Sequence, residues 1–316
     1  MSTPWRPFII PARKIEDYPL YAKRIEIQEA MCRHAKIKGT GFENKKFLHK
    51  VLHKGLEWTG LDKLGLKNVL DLQVLEQDFE LERLPESADG LRILHLSDLH
   101  LDGVPGLLEV LLEKIAPLSF DLCVITGDFR FGKRELSREE IEDSLSLIEY
   151  LSKRAKRGVY ITLGNHDFIE QVKPFEEAGA RVLMNENLPL DEEAQLWLIG
   201  LDDPHLYFCA DFENGFKGVP EEACKILLVH SPEVTAKAER YGTDLYLCGH
   251  THGGQIKIPF LGAPFSNARC ERRYAFAGFE RGRMKGYTHN GTGASSVAAR
   301  FYCPSEMVIH CLRRKT

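Results

Sequence analysis

The chain has 316 residues, of which 43% are hydrophobic and 28% charged, with a net charge of −4. Such a chain buries a core well beyond that of a small stapled domain, so disulfide-framed and metal-stapled miniproteins are excluded. No apolar run approaches the roughly 20 residues of a membrane-spanning helix. The eight cysteines are scattered, and none has the two-residue spacing of a zinc ribbon or redox motif. Met1 to Lys14 lacks an apolar signal-peptide core, and a reducing cytoplasm is the expected setting. Charge is uneven: residues 1–60 carry 12 basic and 6 acidic side chains, and residues 269–316 carry 10 and 3. Basic ends around an acidic centre point either to an anionic partner at the periphery or to an unevenly charged solvated surface; nucleic acid is not indicated.

Residues 1–87 lack alternating strand patterns and read as a basic extension of helices and loops. Within it Phe47, Leu48, Val51, Leu52 and Leu56 share one helical face, with Lys45, Lys46, His49, Lys50, His53 and Lys54 opposite. This amphipathic segment, 43–58, either lies on an anionic membrane surface or packs on the rest of the chain. The turn-rich stretch 85–90 marks a boundary, and 88–316 reads as one domain.

Short apolar runs then recur at 91–96, 122–126, 159–163, 196–199, 226–229 and 245–248, as expected for strands buried on both faces. Helices separate several of them. Ser137 and Glu140 form a capping box, and Ile141, Leu145, Ile148 and Leu151 mark one helical face. Ser231-Pro232-Glu233 starts another helix and Gly242 stops it. The alternation predicts an α/β sandwich, and strands and loops follow Pro259.

Polar residues fall where these strands end. The first run leads to Asp98-Leu99-His100, the second to Gly127-Asp128, and the third to Gly164-Asn165-His166-Asp167. Later runs lead to His230 and to Gly249-His250-Thr251-His252. Ligands bind at that edge of an open α/β sheet. Any one of these motifs is weak, since a lone His is more often a hydrogen-bonded structural residue. Gathering so many carboxylates and imidazoles without a counter-charge is costly, and a pair of divalent cations removes that cost. Residues i and i+2 of an extended chain face one side, so Asp98 and His100 can chelate one ion, and His250 and His252 can straddle two. Carboxylate, amide and imidazole ligands without a thiolate suit Mn, Fe, Zn or Co better than Ca.

These motifs together resemble the calcineurin-like metallophosphoesterase superfamily over about residues 91–312. The stretch Leu227 to Glu233, the run from Gly249 to Pro259 and the tail Gly286 to Gly293, with Arg300-Phe301 and Pro304-Ser305-Glu306, are similar to a bacterial branch. That branch holds membrane-associated phosphodiesterases and UDP-diacylglucosamine hydrolases. The resemblance implies a four-layer α/β/β/α sandwich, here with an N-terminal helical extension. It implies one metal on Asp98, His100 and His252, a second on Asn165, His230 and His250, and Asp128 bridging them. Hydroxide between ions about 3.5–4 Å apart would attack phosphorus. His166 would stabilise or protonate the leaving group.

Many members carry an Asp three residues after the bridging Asp, which orients the motif histidine; here that position is Phe131. Arg130 is the candidate contact to substrate phosphate, the alternative being a surface salt bridge. The expected activity is cleavage of a phosphodiester or pyrophosphate bond in an anionic lipid-linked or nucleotide-linked substrate, in the cytoplasm or at the periphery of the inner membrane. The alternatives are a phosphomonoesterase or protein phosphatase, and a scaffold that kept the fold without catalysis.

Overall fold

The computed structural model describes residues 14–36, 54–132, 139–191, 193, 195–258, 260–263 and 268–315. In chain order its strands are β1 (Gln73–Leu81), β2 (Arg92–Leu96), β3 (Leu122–Ile125), β4 (Val159–Ile161), β5 (Ala180–Val182) and β6 (Glu186–Pro189). They continue as β7 (Leu196–Gly200), β8 (Cys224–Leu228), β9 (Leu245–Cys248), β10 (Ala277–Arg281), β11 (Met284–Thr288) and β12 (Glu306–Arg314). The helices are α1 (Tyr21–Lys36), α2 (Leu61–Leu70), α3 (Leu107–Ile115), α4 (Glu139–Ser152), α5 (Val172–Glu177), α6 (Phe212–Gly215) and α7 (Thr235–Arg240).

One sheet has the order β1-β12-β2-β3-β4-β5 and the other β10-β11-β9-β8-β7-β6. Strands β2 to β5 run parallel, as do β7, β8, β9 and β11. Period-two alternation sorts their side chains into layers. Ile93, Leu122 and Val124 meet Leu198, Ile226, Leu228, Leu245 and Leu247 between the sheets. Leu94, Leu96, Cys123 and Ile125 face the other way and pack with Leu107, Leu111, Leu147, Leu151 and Phe175 of α3 to α5. On the far side, Leu227, Val229, Tyr246 and Cys248 pack with Phe212 and Ala238. This is the expected α/β/β/α sandwich. Each fully buried Leu or Ile contributes about 1.5–3 kcal/mol, and truncating Leu228 to Ala would cost about 2–5 kcal/mol.

The segment read as helices and loops also contains a strand. β1 pairs in parallel with β12 from Gln73 opposite Glu306 to Leu81 opposite Arg314. It is an edge strand whose side chains from Gln73 to Asp78 are exposed, so it shows no apolar alternation. The amphipathic segment 43–58 lies outside the described residues up to 53, and 54–59 is helical. Ser137 also lies outside them, while α4 runs on from Glu139. Helix α1 attaches through both apolar and polar groups: Tyr21 and Ile25 pack partly buried on the core, and among its described side chains the buried ones are Arg24 and Gln28, one turn apart. No helix among the described residues is long and apolar enough to cross a membrane.

Candidate metal centre

The C-terminal ends of β2, β3 and β4 in one sheet and of β8 and β9 in the other converge. Asp98 N–H donates to the carbonyl of Gly127 (2.9 Å), His100 N–H to that of Asp128 (3.1 Å), and Gly249 N–H to that of His230 (2.8 Å). The loops therefore brace one another across neighbouring strands. Two close approaches exclude a side chain: a Cβ at Gly164 would collide with Asp128, and one at Gly249 with Ser97 and Asp98.

Asp98, His100, Asp128, His250 and His252 all have φ between 45° and 71°. The left-handed region costs a non-glycine residue about 1–2 kcal/mol. Five such residues in one pocket are backbone strain of the kind held at functional sites. Asp98 and His100 thus reach a common point through left-handed turns, not through the extended chain that i, i+2 spacing suggests.

The seven candidate ligands come together in two groups. In the first, His252 Nε2 lies 3.2 Å from Asp98 Oδ1 and 3.2 Å from His100 Nε2. In the second, His230 Nε2 lies 3.1 Å from Asn165 Oδ1 and 3.2 Å from His250 Nδ1. Asp128 sits between them, its Oδ2 3.8 Å from His100 Nε2 and 3.3 Å from His230 Nε2. All seven side chains are buried.

The donor set fits cations. Nδ1–H of His100 donates to the carbonyl of Arg130 (2.6 Å), and that of His230 to the carbonyl of Thr126 (2.7 Å). Each bond fixes the tautomer and leaves an Nε2 lone pair aimed inward, as outer partners do at metal sites. His250 Nε2 is buried without a hydrogen-bond partner among the described residues. Burial opposes charge on His230, but the Asp128 carboxylate outweighs it and pushes the imidazole up to about 10. Burial pulls His100 down to about 4. A cation and a proton therefore compete for His230 Nε2, whereas His100 offers its lone pair at neutral pH.

His166 stands beside these groups, its Nε2 4.0 Å from Asp128 Oδ2 and its ring centroid 4.9 Å from that of His100. Its Nδ1–H donates to the Phe131 carbonyl (3.0 Å). Asp167 faces away from His166 and accepts from the main-chain N–H groups of Asp128 (2.7 Å), Phe129 (2.9 Å) and Gly164 (2.8 Å). Burial and the nearby Asp128 push its carboxyl up to about 6. Arg130 is fully buried, its guanidinium 4.4 Å over the Phe168 ring, and its carbonyl accepts from His100.

Sequence reasoning passed over His205. Its ring centroid lies 4.1 Å from that of His250, and its Nδ1 lies 2.8 Å from Glu233 Oε1. The signal was available, because Asp202-Asp203-Pro204-His205 follows β7 as the other motifs follow their strands. His205, Glu233 and His250 form a third group with metal-ligating geometry, sharing His250 with the second.

The family model of calcineurin-like phosphoesterase matches residues 91–254. The uncharacterized metallophosphoesterase YkuE of Bacillus subtilis is 27% identical over 252 residues, 77% of this chain and 86% of that protein. The phosphodiesterase YaeI of Escherichia coli is 27% identical over 71% of this chain and 83% of its own length. The UDP-2,3-diacylglucosamine pyrophosphatase LpxG of Chlamydia muridarum is 25% identical over 76% of this chain and 89% of its own.

Proposed function

Since the chain belongs to the calcineurin-like phosphoesterase family and is a hydrolase of phosphoester bonds, we propose that it is a dinuclear enzyme cleaving a phosphodiester or pyrophosphate bond. The observation that carries this reading is the meeting of two ligand groups at one carboxylate, Asp128, within 3.8 Å of an Nε2 from each. Asp98, His100 and His252 hold one divalent ion, Asn165, His230 and His250 the other, and Asp128 both. Mn, Fe, Zn and Co suit this set. When bound, such ions supply charge to phosphoryl oxygens and acidify water.

The remaining work falls to the side chains. His166 faces the Asp128 side of the site and holds substrate phosphate from Nε2. Its Nδ1 proton is committed to the Phe131 carbonyl, so it donates from Nε2 only as the imidazolium. A phosphodiester or pyrophosphate is preferred over a monoester because YaeI is a phosphodiesterase and LpxG a pyrophosphatase.

A lipid-linked substrate at an anionic membrane surface is supported by an exposed apolar patch. Phe260 and Leu261 project from a turn closed by Ile258 N–H on the Gly262 carbonyl (2.9 Å). The same segment pairs with Phe301, next to exposed Tyr302, and Gly65 of α2 packs on Ala299, which brings exposed Leu61 and Leu64 to the same region. Lys257 and Arg272 flank the turn, both near the Phe276 ring. Apolar tips among cations suit an anionic leaflet, and the turn begins three residues after Gln255, just beyond the His252 loop.

The test is a turnover screen with Mn over phosphomonoesters, soluble phosphodiesters and UDP-linked diacyl lipids in anionic vesicles. Diester or pyrophosphate turnover above monoester turnover supports the reading. Turnover confined to monoesters, or protein that binds no divalent ion, overturns it.

A further inference from the structure

We propose that Arg24 is a positioning residue of the metal centre: it holds the loop carrying Asn165 and His166 against the loop that follows β7. The proposal rests on the dinuclear reading above.

Arg24 is fully buried and forms an ion pair with Asp202, which is also fully buried. Its Nη2 donates to the carbonyl of Asp167 (2.9 Å) and approaches that of Gly164 (3.5 Å). Those two carbonyls bracket Asn165 and His166. The guanidinium lies 3.8 Å over the ring of Tyr207, whose hydroxyl also donates to the Asp167 carbonyl (3.2 Å). Tyr18, just before α1, donates to the other Asp202 oxygen (2.9 Å). One turn along α1, Gln28 accepts from Ile169 N–H (3.2 Å) and donates to Glu170 (2.7 Å).

These contacts span the gap that the second ligand group must span. Asn165 comes from the sheet of β4, and His230 from the sheet of β8, and their ligand atoms lie 3.1 Å apart. Asp202 and Tyr207 follow β7, next to β8 in the second sheet. Arg24 therefore ties the two sheets together beside the Asn165–His230 pairing, from a helix outside the family-matched residues 91–254.

Stability alone does not account for this pair. Two charges lose several kcal/mol each on burial, and a buried pair replaced by apolar side chains of similar volume is often as stable. Fixed geometry is what a fork-shaped, multiply bonded guanidinium supplies. Outer groups that orient ligands typically change metal affinity by about 10–100-fold when removed.

The experiment uses the full chain with Arg24→Gln, Arg24→Lys and Tyr18→Phe. Mn binding is measured by calorimetric titration, alongside turnover of bis-p-nitrophenyl phosphate and thermal unfolding. In Arg24→Gln one Mn binds as in the wild type and the other about tenfold or more weakly. Its kcat falls at limiting Mn with KM nearly unchanged, and excess Mn restores turnover. Arg24→Lys falls between. A folded Arg24→Gln that binds both Mn ions as the wild type does overturns the proposal. If that variant does not fold, Tyr18→Phe decides, because it removes one hydroxyl from Asp202 and keeps the ring. Weakened binding of one Mn supports the proposal, and unchanged binding overturns it. A wild type that binds fewer than two Mn ions marks instead the failure of the dinuclear reading.

Discussion

His166 Nδ1 lies 3.0 Å from the main-chain carbonyl of Phe131. The residue whose side chain departs from the family pattern thus supplies an orienting group through its backbone. Its N–H is in turn held by the Asp102 carboxylate. His166 therefore has a partner, but a neutral carbonyl stabilises an imidazolium less than a carboxylate does. We expect His166→Ala to lose a charged hydrogen bond to phosphate worth about 1.5–3 kcal/mol, a fall of about 10–150-fold in kcat/KM. The fall should be similar for nitrophenyl and alkyl esters of the same phosphate. A much larger loss on the alkyl ester would make His166 the acid for the leaving group.

Asp128→Asn tests the shared carboxylate. The asparagine keeps the shape and leaves Asp167 on the same main-chain N–H groups, so the fold should persist. One neutral oxygen replaces the charge between the two groups. Turnover should fall by at least about a hundredfold, and bound metal should drop below two ions per chain by elemental analysis. Wild-type turnover with full metal content would remove Asp128 from the centre.

Metal removal should destabilise the protein. The left-handed backbone at Asp98, His100, Asp128, His250 and His252 and the clustered charges are offset when cations bind. A ligand at a hundred times its Kd adds about 2.7 kcal/mol. For a chain of this size that corresponds to about 4 °C in Tm. Scanning calorimetry with chelator and then with Mn should show a gap of this order. A Tm that ignores both treatments would mean that no tight metal site is present.

The strand ends were legible because they combine two local signals, an apolar run and an abrupt polar stop; Leu122 to Asp128 is the clearest case. The sandwich followed from the same runs, since Ile226 and Leu228 face one layer and Leu227 and Val229 the other. β1 was not legible because its pairing with β12 is set by residues more than 230 positions away, and its exposed side chains need no pattern. Arg24 was hidden for a related reason. A basic residue in a polar helix looks solvated, and only the folded chain brings Asp202 and the Asp167 carbonyl to it. His205 was legible too, for it obeys the strand-end rule used for the candidate ligands.

Acid should unfold the protein partly through a group of imidazoles between the sheets. His95, His289 and His310 are buried, with His95 Nδ1 3.0 Å from His310 Nε2 and His95 Nε2 2.9 Å from Thr126 Oγ1. Burial, with the neighbouring His289, pulls His310 down to about 3. Burial also holds His95 well below its ordinary value. Both are neutral in the folded chain, while the unfolded chain titrates them near 6.5. Above about pH 6.5 neither state takes the protons, and their contribution to stability is at its maximum. As pH falls below that value the unfolded state gains protons that the folded state refuses, and stability is lost down to about pH 3 for His310. Each imidazole contributes a slope of about 1.4 kcal/mol per pH unit in this window. His310→Gln keeps a polar partner for His95 and removes one titrating group. Urea unfolding of chelated protein from pH 6 to 4.5 should therefore lose stability less steeply in the variant, by about 1.4 kcal/mol per pH unit. Parallel slopes in the two proteins would mean that His310 accepts its proton in the folded state.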